Sequence, residues 1–62
     1  PGTITSVNVN VGDTVNVGDT VVVLEAMKMQ NNIEAEAAGK VKEILVKQGD
    51  SVMEGATLVV IG

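Results

Sequence analysis

The side chains that ordinarily do chemistry are scarce in this sequence. It has no His, Cys or Tyr, so the usual bases, nucleophiles and acids are missing and catalysis by those routes is nearly excluded. Carboxylates remain. Asp13 and Asp50 fall in matching Gly-Asp pairs, and Glu34 and Glu36 stand two apart, but none has a recognisable partner for acid–base work. A solvated acidic surface is the expectation, and no loop gathers oxygen ligands at the spacing calcium needs. That leaves amines. Lys40, Lys42 and Lys47 stand among aliphatic neighbours, as on an ordinary solvated strand face. Lys28 stands apart, between Met27 and Met29 in Glu25-Ala26-Met27-Lys28-Met29. An exposed amine on a rigid tip is a handle for covalent attachment.

What must position that amine is visible as a repeat. Shifted by thirty-seven places, residues 2–24 fall on residues 39–61 without a gap, with nine of twenty-three positions identical, among them Gly2/Gly39, Gly12/Gly49, Asp13/Asp50 and Gly18/Gly55. Ile4/Val41, Val7/Ile44, Val21/Leu58 and Leu24/Ile61 keep aliphatic character, as two equivalent walls of one core would. Lys28 lies in the only segment that breaks the repeat, a hairpin over residues 25–38, so the pseudo-symmetry puts it at one extreme of the molecule.

Within each repeat the pattern reads as strand. Val7, Val9 and Val11 alternate with Asn8 and Asn10, and Ile44 and Val46 alternate with Glu43, Leu45 and Lys47, mostly the period of a half-buried strand. Ile4 to Val7 and Val41 to Ile44 are spaced by three rather than two, which predicts a bulge in both halves. Gly12-Asp13, Gly49-Asp50, Gly18-Asp19 and Gly55-Ala56 read as turns. Residues 25–38 read as a strand, a tight reversal and a returning strand through Ala37, although Ala and Glu would also suit a short helix over residues 33–38. A reversal through Met27-Lys28 without Gly predicts positive φ at non-glycine residues.

The chain has 62 residues, which makes one small domain, residues 1–62, without room for an enclosed active site. Thirteen Val, four Ile and three Leu with no aromatic residue point to an all-β fold held by aliphatic packing. Eight acidic residues against four lysines give a net charge of -4, and no basic cluster interleaves with aromatics, so nucleic acid is not an expected partner. The longest apolar run, Val21 to Leu24, is too short to span a bilayer, so direct membrane contact is not expected. The lack of Cys leans towards a reducing, cytoplasmic location.

These features together resemble the biotinyl (biotin carboxyl carrier) domains of the biotin/lipoyl attachment family. The resemblance covers the whole chain. It is carried by Pro1-Gly2, the turns at Gly12-Asp13 and Gly18, Val22-Val23-Leu24-Glu25-Ala26-Met27-Lys28-Met29, Gly39, Gly49-Asp50 and Gly55. A Met-Lys-Met triplet alone is a weak signal; centred between gapless repeats it is a strong one. The resemblance implies a flattened barrel, or barrel-sandwich hybrid, of two quasi-symmetric antiparallel four-stranded sheets. By the repeat, residues 33–38 should have a counterpart just before Gly2, where only Pro1 stands, so an N-terminal strand is expected to be missing.

By the same resemblance, Lys28 is the site of covalent biotin attachment, and Met27, Met29, Ala26 and Glu25 form the surface read by a biotin protein ligase. The expected role is a non-catalytic carrier. Biotin on Lys28 would shuttle an activated carboxyl group between the biotin carboxylase and carboxyltransferase subunits or domains of a biotin-dependent carboxylase, decarboxylase or transcarboxylase. Such partners could also tether the domain to a membrane complex. Because the first half matches the second in length, with no inserted thumb, the resemblance leans to the C-terminal biotinyl domains of transcarboxylases and decarboxylases. Two alternatives stand beside it. A lipoyl carrier domain of a 2-oxo acid dehydrogenase-type complex shares the fold and hairpin lysine but lacks Met on both sides, and an unmodified structural hybrid domain would carry no cofactor.

Overall fold

The valine-rich stretches form strands and the Gly-centred pairs between them form turns, as β-branched side chains and positive-φ glycines dictate. A computed structural model describes residues 2–53 and 55–62; Pro1, half of the Pro1-Gly2 match, lies outside the described residues. In chain order the strands are β1 (Gly2–Val7), β2 (Thr14–Val15), β3 (Thr20–Ala26), β4 (Met29–Glu34), β5 (Gly39–Ile44), β6 (Ser51–Val52) and β7 (Val59–Ile61). They form two antiparallel sheets, ordered β4-β3-β1-β6 and β2-β5-β7. No helix occurs among the described residues, 33–38 included.

This is the all-β two-sheet architecture expected, open rather than closed into a barrel, but the second sheet has three strands instead of four. The thirty-seven-residue offset pairs β1 with β5, β2 with β6 and β3 with β7. One edge of β7 is unpaired among the described residues. Beside it runs a groove of about 830 Å³ lined by Leu24, Ile33, Val52, Leu58, Val59 and Ile61, among others.

Hydrogen bonds repeat with the same offset. Asn8 N–H donates to Val21 O, and Leu45 N–H donates to Leu58 O, at 2.8 and 2.9 Å. The register of β1 on β3 shifts between Ile4 and Ser6, and that of β5 on β7 between Val41 and Glu43. These are the two bulges that the three-residue spacing predicts.

The four turns share one design. In Asn10–Asp13, Asn16–Asp19, Lys47–Asp50 and Met53–Ala56, the fourth residue's N–H donates to the first residue's carbonyl at 3.0 Å. The third residue is glycine at φ 95, 92, 93 and 87°, the left-handed region that a type II turn demands there. Where the fourth residue is Asp, its Oδ2 accepts the first residue's N–H, at 2.8 Å for Asp13 and Asp19 and 3.0 Å for Asp50. Ala56 has no carboxylate to do so.

The core lies between the sheets: Ile4, Val9, Val15, Val21, Val22, Ala35 and Val41 are buried, with Val7, Leu24, Ile33, Ile44, Val46, Val52, Leu58, Val59 and Ile61 packed around them. Val21 and Val22 are buried, whereas their counterparts Leu58 and Val59 are only half-buried. The difference follows from β4, which flanks β3 and has no equivalent beside β7 among the described residues. Two expectations need correction. β1 ends at Val7, and Val11 is exposed in a turn rather than alternating along a strand. β4 ends at Glu34, and residues 36–37 form a bend. Ala35 leaves the ladder to bond the turn before β3, donating to Asp19 O and accepting from Gly18 N–H.

Candidate functional site

The β3–β4 hairpin is built by six cross-strand partners from Thr20↔Glu34 to Ala26↔Met29, which leaves two residues, Met27 and Lys28, to reverse the chain. Two-residue hairpin loops adopt turns whose twist matches that of the strands, and the type I′ form needs positive φ at both central positions. Met27 stands at φ 54° and Lys28 at φ 65°, the only non-glycine residues with positive φ among those described. Each costs roughly 1–2 kcal/mol for an L-residue. The strands on either side must supply that.

They can do so because β3 is an interior strand, with β4 on one side and β1 on the other. On the other edge of β3, Thr3 pairs with Glu25 and Ile4 with Leu24, and Thr5 Oγ1 donates to Val23 O at 2.9 Å. Gly2 completes the support. A Cβ there would sit 2.9 Å from Leu24 Cδ1 and 3.1 Å from Glu25 O, so β1 approaches the root of the hairpin as closely as only glycine allows.

All five residues singled out in the sequence lie in this element. Glu25 is exposed on β3 opposite Gln30, and Ala26 is half-buried opposite Met29. Met27 is 93% exposed and Met29 66% exposed. Lys28 is exposed at the apex. Sequence reasoning passed over Gln30, which shares the hairpin with Glu25; placing the turn at residues 27–28 makes that partnership a matter of counting. Gly2 marks the repeat and the Pro1-Gly2 match in the sequence, and its close approach to Glu25 is visible only in the fold. The remaining lysines, Lys40, Lys42 and Lys47, are exposed away from the hairpin, in or beyond β5. Glu34 and Glu36 are exposed but do not share one strand, since only Glu34 lies in β4. Among the described residues no group of three or more His, Cys, Asp or Glu side chains could hold a metal ion.

The chain is thus an all-β sandwich that presents a lysine on a strained, exposed hairpin. The chain belongs to the biotin/lipoyl family described as "Biotin-requiring enzyme", whose pattern matches residues 1–61. It is 51% identical over 61 residues to a biotin carboxyl carrier protein of Streptococcus mutans serotype c, covering 98% of this chain and 47% of that protein. It is 49% identical over 59 residues to the mitochondrial propionyl-CoA carboxylase alpha chain of Sus scrofa, covering 95% of this chain and 8% of that one. The chain thus spans about half the length, or much less, of these relatives. Its fold matches the lipoyl domain of the 2-oxoglutarate dehydrogenase complex from Azotobacter vinelandii, with a TM-score of 0.82, 30% identity, and coverage of 98% of this chain and 77% of that one.

Proposed function

We propose that this chain is a biotin carboxyl carrier domain in which Lys28 is the residue that carries biotin. The observation that bears most weight is the apex itself: an exposed lysine at φ 65°, flanked by two exposed methionines, in a family of biotin-requiring proteins. The residues fit the group. An amide from Nζ to the biotin carboxyl needs only access and a fixed base, and the hairpin supplies both. Forming that amide releases a proton from the amine, which the ligase must take. Glu25, Ala26, Met27 and Met29 are the surface that a biotin protein ligase would read.

Once attached, biotin supplies a ureido nitrogen that accepts and releases a carboxyl group, chemistry that no side chain here offers. The domain's share is mechanical. It holds the base of a long arm rigid and raises the arm's effective concentration at two active sites. Those sites belong to partner proteins or domains, a biotin carboxylase and a carboxyltransferase. A carboxylase has the support of the named relatives; a decarboxylase or transcarboxylase would use the same carrier step. A cytoplasmic setting, or one tethered to a membrane complex through such partners, suits this role.

The lipoyl alternative is favoured by the fold shared with a solved lipoyl domain and by 46% identity over 59 residues to a dihydrolipoyllysine-residue acetyltransferase component of Haemophilus influenzae; against it stand Met27 and Met29. Incubation with biotin, ATP and a biotin protein ligase, or with lipoate and a lipoate ligase, followed by intact-mass measurement, separates the readings. The carrier reading expects one biotin on the wild-type chain and none on Lys28→Arg. An adduct formed only by the lipoate ligase, no adduct at all, or biotin persisting on Lys28→Arg would overturn it.

A further inference from the structure

The two residues that flank Lys28 carry the most readily oxidised side chains of the hairpin. Met27 is 93% exposed and Met29 66% exposed. Their thioethers bracket the amine, and the positive φ values at Met27 and Lys28 hold that tip in one closed turn. Neither methionine belongs to the core, and both side chains stand largely in solvent.

We infer that Met27 and Met29 form an oxidation site, converted to sulfoxides by a peroxide, and that this modification closes the tip to the enzyme that loads Lys28. In each step a sulfur lone pair attacks one peroxide oxygen and the O–O bond breaks. Sulfur is oxidised by two electrons to the sulfoxide, and the other oxygen leaves as water or an alcohol. The reverse step takes two electrons and two protons from a thiol-dependent sulfoxide reductase and releases water.

The effect on loading follows from desolvation and rests on the biotin-carrier reading. An enzyme that encloses Lys28 also covers its neighbours, and burying a thioether is favourable. A sulfoxide replaces that soft apolar group with a strong, directional acceptor, and covering it without a donor is costly. The fold would not register the change, since both side chains stand in solvent. Met53 is an internal control, because it is 75% exposed yet lies outside the hairpin.

The chain is treated with hydrogen peroxide, freed of it, checked by intact mass, and offered to biotin protein ligase with biotin and ATP. Oxidised wild type and oxidised Met53→Leu should both lose at least ten-fold in kcat/KM for loading, with unfolding midpoints unchanged. Treatment with both epimer-specific sulfoxide reductases should restore the rate. Met27→Leu/Met29→Leu should load after peroxide within two-fold of its untreated rate. Oxidised wild type that loads within two-fold of the untreated chain overturns the inference and leaves the carrier reading intact. So does an oxidised double variant that loses as much as wild type. A chain that takes no biotin before oxidation overturns both.

Discussion

Ile4 and Val41, thirty-seven residues apart and each 1% exposed, are each bonded to the turn of the opposite half. Ile4 N–H donates to Asp50 O and its carbonyl accepts from Gly49 N–H, both at 2.8 Å; Val41 N–H donates to Asp13 O at 2.9 Å and its carbonyl accepts from Gly12 N–H at 2.8 Å. The halves therefore interlock. Each turn satisfies the backbone of the other half's buried strand, where an unpaired group would be costly. Each sheet likewise draws strands from both halves, since β6 joins the first and β2 the second.

Neither half should fold alone. Residues 1–38 and 39–62 prepared as separate fragments should each lack strand signal by circular dichroism and any cooperative thermal transition. A cooperative transition from either fragment by itself would contradict the interlock.

The same symmetry makes paired predictions for two glycines. A Cβ on Gly2 would lie 3.1 Å from Glu25 O, and one on Gly39 would lie 3.2 Å from Gly62 O; Glu25 and Gly62 are themselves one repeat apart. Gly2→Ala and Gly39→Ala should each destabilise the domain by about 1–3 kcal/mol, measured by urea unfolding. Gly2→Ala should also slow biotin loading, because the displaced carbonyl belongs to the root of the hairpin. Two alanine variants as stable as wild type would show that the strands can move apart freely.

At the apex, Met27→Gly should raise stability by about 0.5–1 kcal/mol, as a glycine at φ 54° relieves more strain than its added chain entropy costs. A lower unfolding midpoint would mean that the Met27 side chain contributes contacts that outweigh the strain.

The fourth turn can be given what the other three have. Asp13, Asp19 and Asp50 each accept the N–H three residues back, and Ala56 occupies the equivalent place. Ala56→Asp should therefore stabilise the domain by about 0.5–1 kcal/mol, and Asp13→Ala or Asp19→Ala should cost about 1 kcal/mol. Equal unfolding midpoints for wild type and Asp19→Ala would show that the carboxylate bond adds nothing over water.

Much of this was legible from residue order because turns and bulges are local. Gly at the third turn position and the three-residue spacing after Ile4 and Val41 announce their geometry without reference to the rest of the chain. The positive φ at Met27 and Lys28 was legible for the same reason, since two residues must reverse the chain between strands. The ends of strands were not. Alternation through Val11 cannot reveal that Asn8 bonds Val21 and that the Asn10–Asp13 turn then takes over. Nor can propensity show that Ala35 is drawn from the ladder to Gly18 and Asp19. The support from Gly2 depends on the register of β1 on β3, a relationship between distant residues that no local pattern contains.

The strand register also sets the order of events when the chain folds. β3 and β4 are consecutive and could close within microseconds, but the other pairings join residues as distant as Gly2 and Val52 or Thr14 and Lys40. Such closures are slow, typically milliseconds to seconds. A hairpin formed early would hold its two strained residues with little behind it and would open often. On the reading proposed for Lys28, its apex would take its closed shape only as the long-range pairings form, and a loading enzyme that reads that shape would select completed molecules over nascent ones.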